Sequence, residues 1–156
     1  HLLVAAGGSS QAVQRALPAR EPGLPTPHTL GALTVTDLPY LPQHEFDQMF
    51  YACDLNFVRG EDSLVRALWA GEPFVWNIYP QHDNAHHGKL QAFLDWLDAP
   101  PSLRQFHRVW NSVEPGELPA IDLPAWRACV QSARQRLLAQ PDLCSQLIQF
   151  VQQKTL

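Results

Sequence analysis

Four short apolar runs, at residues 2–6, 32–35, 54–58 and 73–79, are separated by stretches in which apolar residues recur at helical spacing. Val13, Ala16 and Leu17 follow the first run, and Phe46, Met49 and Phe50 the second. Leu64, Val65, Leu68 and Trp69 follow the third, and Leu90, Phe93, Leu94 and Leu97 the fourth. Several of these runs are apolar without alternation and read as strands covered on both faces. Strands of that kind alternating with helices require parallel pairing through right-handed crossovers. From residue 101 onward only helices are expected: one over 102–110, one marked by Trp126, Val130, Ala133 and Leu137, and one by Leu143, Leu147, Ile148 and Val151. The fold class expected is therefore α/β: a Rossmann-like parallel sheet flanked by helices, with a helical C-terminal tail. It forms a single domain over 1–156, alternating β/α over 1–98 and helical over 101–156.

The 156 residues suit one domain, and 46% hydrophobic content supplies a core. A formal net charge of −4 argues against a protein that holds nucleic acid by its phosphates. No apolar run approaches a membrane span in length. Cys53, Cys129 and Cys144 are odd in number and lack metal spacing, so they are expected to be reduced and partly buried, in a cytoplasmic protein. Residues 18–28 carry four prolines and read as irregular. The chain opens on His1 leading straight into an apolar run, as expected of a piece of a longer protein.

In an open parallel sheet, ligands bind beyond the carboxyl ends of the strands. Four loops qualify, at residues 7–10, 37–46, 59–63 and 79–83, and their contents read as one pocket. The third, Arg59-Gly60-Glu61-Asp62-Ser63, puts a cation and a hydroxyl where a helix start presents free N–H groups, an arrangement suited to a phosphate. Glu61 and Asp62 would repel that anion head-on, but could accept hydrogen bonds from sugar hydroxyls. The plain alternative is a helix start favoured by acidic residues, with Arg59 in a surface ion pair. In the second loop, Tyr40 and Phe46 flank Gln43: two rings for a flat base and an amide for its edge, or two core aromatics. Tyr79 could offer its hydroxyl to a phosphate oxygen, or be buried. Gly7-Gly8-Ser9-Ser10 lacks the spacing of a phosphate loop, and no GxSxG is present. His82, His86 and His87 lack the third ligand and the glutamate of a zinc motif, so no metal site is expected.

Arg59-Gly60-Glu61-Asp62-Ser63, Val65-Arg66-Ala67, Trp69-Ala70-Gly71, Pro73-Phe74-Val75-Trp76 and Ile78-Tyr79-Pro80-Gln81 closely resemble the signature of the EarP family. These are bacterial protein-arginine rhamnosyltransferases that modify elongation factor P. Residues 38–43 and 54–58 look like the same family. The resemblance implies the C-terminal, donor-binding half of an inverting GT-B glycosyltransferase that moves rhamnose from dTDP-β-L-rhamnose to an arginine of elongation factor P, without a metal or other cofactor. By motif position, Tyr40, Gln43 and Phe46 would hold the thymine, and Arg59, Glu61, Asp62, Ser63 and Tyr79 the deoxyribose, diphosphate and rhamnose. The general base and most of the elongation factor P surface would lie in an N-terminal domain that this chain does not contain. Binding without transfer is then expected of the chain alone. Departures are Tyr40 for the commoner Phe, Leu64 and Leu68 for Phe and Gln, and Glu72, read as a surface charge, for a basic or polar residue. A non-catalytic nucleotide-binding regulatory module and a plain Rossmann-type interaction domain remain the alternatives.

Overall fold

A computed structural model describes residues 1–17 and 27–154. The chain divides into two compact units, His1–Phe46 and Asp47–Leu156. The first contains β1 (Leu2–Val4), α1 (Gly8–Ala16), β2 (His28–Leu30) and β3 (Leu33–Asp37). Its sheet has the order β1-β3-β2, with β1 parallel and β2 antiparallel to β3. Val4 and Val35 are the buried centre. Gly7, at φ 97°, turns the chain from strand to helix, a conformation a side chain would strain. Ser10, in the first turn of α1, donates its hydroxyl to Asp37 Oδ1 at 3.2 Å, tying helix to strand. Most of the segment read as irregular, residues 18–26, lies outside the described residues. His28, at its end, instead opens β2, because Thr29-Leu30 and Leu33-Thr34 pair across a two-residue turn containing Gly31.

α2 (Gln43–Ala52), the helix marked by Phe46, Met49 and Phe50, begins after Pro42, whose carbonyl accepts from Glu45 and Phe46 N–H. The second unit continues with β4 (Asn56–Arg59), α3 (Glu61–Ala70), β5 (Phe74–Asn77), α4 (Ala85–Leu97), α5 (Pro101–Trp110), α6 (Leu123–Leu138) and α7 (Leu143–Lys154). β4 and β5 pair in parallel, from Asn56↔Phe74 to Arg59↔Asn77. β5 is apolar on both faces and buried on both, as expected. β4 is not: Asn56 and Val58 are buried while Phe57 and Arg59 are exposed. Asn56 tolerates burial because its Nδ2 donates to the Phe50 carbonyl at 3.0 Å.

Leu64, Ala67 and Leu68 form the buried face of α3 at i, i+3, i+4. Val65 and Trp69, expected there, are exposed. Gly71 ends the helix in the left-handed conformation (φ 80°), its N–H bonded to the Ala67 carbonyl. Leu90, Leu94 and Leu97 of α4, Leu103 and Phe106 of α5, and Trp126, Val130 and Ala133 of α6 complete the core. Glu72 is no free surface charge: at 24% exposure it accepts from Arg127 at 2.8 Å, and Arg134 donates to the Trp69 carbonyl, so α6 clasps the end of α3. α7 buries none of its residues. Cys53 and Cys129 are partly buried, as expected; Cys144 is exposed, and all three are free. No helix among the described residues is long and apolar enough to cross a membrane.

Candidate functional site

The turn from β4 into α3 is built by Gly60. Its φ of 79° and ψ of 157° lie in a region essentially reserved for glycine. A Cβ here would stand 3.2 Å from Tyr79 Cε2, so the missing side chain also lets Tyr79 lie against the turn. The Arg59 guanidinium sits over that ring, 4.7 Å from its centroid. No carboxylate among the described residues pairs with Arg59. Among the described residues its charge is oriented by an aromatic face, where the sequence had offered a surface ion pair as the plain alternative. Gly60 provides no side-chain cap, so beyond Glu61, whose N–H turns to its own carboxylate, the first N–H groups of α3 are not consumed by a capping residue. Ser63 is half-buried in that first turn.

The two acids of the loop have partners, and both point aside. Glu61 accepts from Lys89 Nζ of α4 at 2.5 Å; that bond and its own backbone N–H hold the carboxyl below the usual range. Asp62 accepts from Arg66 Nε at 2.8 Å, and Arg66 Nη1 reaches both oxygens of Asp47 at 3.0 and 2.8 Å. These pairings raise the Arg66 pKa, with the Asp62 bond the largest cause. A carboxylate held by one cation retains lone pairs for hydroxyl donors.

Beside Arg59 opens a cleft of about 450 Å³, lined also by Asn77, Gln81, Asn84, His87, Trp110, Asn111 and Ser112. Of the residues proposed from sequence for the diphosphate and sugar, Arg59 lines it; Glu61, Asp62, Ser63 and Tyr79 do not. Tyr79 is 51% exposed rather than buried. Tyr40, 86% exposed, Gln43, exposed, and Phe46, half-buried, belong to the first unit. The Tyr40 hydroxyl lies 3.9 Å from where a Gly7 Cβ would stand, so that ring is not core. Among the three histidines weighed for a metal, His86 is buried and its Nδ1 accepts from Gln81 N–H at 3.0 Å. No group of three metal-ligating side chains occurs among the described residues. Sequence reasoning passed over His107 and Asn111, whose side chains bond the main chain of β5. The available signal was two polar residues spaced i, i+4 beside an apolar stripe.

The model of the family described as elongation factor P (EF-P) rhamnosyltransferase EarP matches residues 1–152. The chain belongs to the EarP family. Its relatives include the protein-arginine rhamnosyltransferases of Pseudomonas putida KT2440, 44% identical over 78% of this chain, and of Pseudomonas aeruginosa PAO1, 40% identical over 79%. The chain spans only about a third of these EarP proteins, since each match covers 35% of the relative. A solved structure from work on EarP-mediated arginine glycosylation of translation elongation factor EF-P matches 98% of this chain and 52% of its own. The TM-score is 0.75 and the sequence identity 32%. The α/β architecture read from the sequence is thus the one EarP adopts over this part of its chain.

Proposed function

We propose that this chain is the nucleotide-sugar-binding C-terminal domain of an inverting GT-B transferase that moves rhamnose from dTDP-β-L-rhamnose to an arginine of elongation factor P. The observation that carries the proposal is Arg59: a guanidinium that no carboxylate among the described residues pairs, braced over Tyr79, beside a helix start without a side-chain cap and at the wall of a cleft.

In this reading Arg59 holds the diphosphate. It also neutralises the charge that builds on the departing dTDP as the sugar–phosphate bond breaks, the task a divalent cation performs in other transferases. The Ser63 hydroxyl and the N–H groups of Asp62 and Ser63 add hydrogen bonds to phosphate oxygens. The Tyr79 hydroxyl is exposed to donate to a phosphate oxygen, while its ring fixes Arg59. Glu61 and Asp62, steadied by Lys89 and Arg66, accept from sugar hydroxyls. The family resemblance assigns the thymine to Tyr40, Gln43 and Phe46, whose two rings and one amide have the right chemistry. Rhamnose transfer also needs a base to take the proton from the attacking guanidine. That base, with most of the elongation factor P surface, is assigned to the N-terminal part of the relatives, and the reaction needs neither metal nor cofactor.

Calorimetric titration with dTDP-rhamnose, dTDP and UDP tests the reading. Binding of both dTDP ligands, weaker binding of UDP, and no labelled rhamnose on elongation factor P are expected of this chain. A folded chain that binds none of them would return the Arg59–Ser63 cluster to a structural helix start. Transfer by this chain alone would overturn the division of labour.

A further inference from the structure

The Asn56 N–H donates to the Pro73 carbonyl at 2.9 Å, so residues 73, 75 and 77 direct their main-chain groups toward β4. Phe74, Trp76 and Ile78 direct theirs the opposite way, toward α5. Trp76 and Ile78 are 1% and 4% exposed, where unpaired peptide groups would be costly. Two side chains one helical turn apart on α5 satisfy them. His107 Nε2 accepts from Trp76 N–H at 3.0 Å, Asn111 Nδ2 donates to the Trp76 carbonyl at 2.9 Å, and Asn111 Oδ1 accepts from Ile78 N–H at 2.9 Å. His107 Nδ1–H donates to the Leu103 carbonyl at 3.0 Å, fixing the tautomer in which Nε2 is the acceptor. Asn111 Nδ2 is steadied by the His107 carbonyl at 2.8 Å. The helix thus stands in for a strand, and the last bond it makes is to the residue before Tyr79.

We infer that His107 and Asn111 are positioning residues of the donor site. They lock the end of β5 so that Tyr79 braces Arg59. Asn111 also lines the cleft, but the role assigned to it is exerted through Tyr79 and not by contact with the donor. The inference rests on the donor-site reading above, and the experiment separates the two. Titrate dTDP-rhamnose into the wild-type chain, Asn111→Ala, His107→Gln, Tyr79→Ala and the double variant Asn111→Ala/Tyr79→Ala. Val130→Ala, in the core of α6, serves as a control for lost stability. Asn111→Ala is expected to weaken binding about tenfold or more, and Val130→Ala to leave Kd unchanged despite a lowered Tm. His107→Gln, which can keep an acceptor for Trp76, is expected to lose less than Asn111→Ala. The double variant should bind no worse than Tyr79→Ala alone, because Asn111 acts through Tyr79. Unchanged Kd in a folded Asn111→Ala, or additive effects in the double variant, would overturn the positioning role while leaving the donor site standing. A wild-type chain that binds no dTDP ligand would overturn both.

Discussion

His107 makes stability respond to acid in a way that one substitution isolates. The ring is fully buried, and burial pushes its pKa down to about 4 from the ordinary 6.5, against a smaller opposing effect of the Leu103 carbonyl. Between those two values the unfolded chain carries a proton on this residue that the folded chain refuses. The neutral ring's contribution is therefore complete above pH 6.5, falls as pH drops toward 4, and changes no further below that. One pH unit of difference corresponds to about 1.36 kcal/mol, so the interval amounts to roughly 3 kcal/mol. That is a large share of the roughly 5–15 kcal/mol that holds a domain folded. His107→Gln keeps an acceptor for the Trp76 N–H but removes the titration. Urea denaturation at pH 7.5 and 4.5, followed by the fluorescence of buried Trp76 and Trp126, measures the effect. The wild type is expected to lose about 2–3 kcal/mol more than the variant. The depressed carboxyls of Glu61 and Asp142 lose their contribution as pH falls through their folded pKa values, below the ordinary carboxylate range, and equally in both proteins. Parallel pH dependence in the two proteins would show that the ring is not held neutral by burial.

Other substitutions test other links. Gly60→Ala should cost of order 1–3 kcal/mol in a thermal or urea melt from its backbone conformation, and should weaken donor binding as well by displacing Tyr79. Ser63→Ala should weaken dTDP-rhamnose binding by about 10- to 100-fold, the worth of one hydrogen bond to a charged acceptor, with unchanged Tm. Trp126→Ala removes a fully buried ring whose Nε1 donates to Ser102 Oγ at 3.0 Å, and should destabilise by about 3–5 kcal/mol.

The sequence is most legible where one residue answers to one local requirement. Gly71 stops α3, Leu90, Leu94 and Leu97 form one face of α4, and continuous apolarity predicts the double burial of β5. It misleads where a partner elsewhere decides. Phe57 interrupts no apolar run, yet it is half exposed against Trp110, with ring centroids 4.9 Å apart, while polar Asn56 goes inside because Phe50 presents it a carbonyl. Ala67 is too small to register in an apolar pattern, yet α3 turns it inward and leaves Trp69 outside. The motif Arg59–Ser63 is visible at once, but its internal division is not. Which charges are paired depends on Lys89, Arg66 and Asp47, between 4 and 28 residues away. His107 and Asn111 were illegible for the same reason, since their partners lie 31 to 35 residues earlier.

The central claim is that Arg59, braced over Tyr79 and paired with no carboxylate among the described residues, holds the donor diphosphate. Titration of dTDP-β-L-rhamnose into the wild-type chain, Arg59→Ala and Arg136→Ala tests it most directly. Arg136, which lies over Trp96 and does not line the cleft, is the control. A charge-assisted contact is worth about 1.5–3 kcal/mol, so Arg59→Ala should raise Kd about 10- to 100-fold and Arg136→Ala should leave it alone. Equal affinity for wild type and Arg59→Ala, with both folded, would contradict the account.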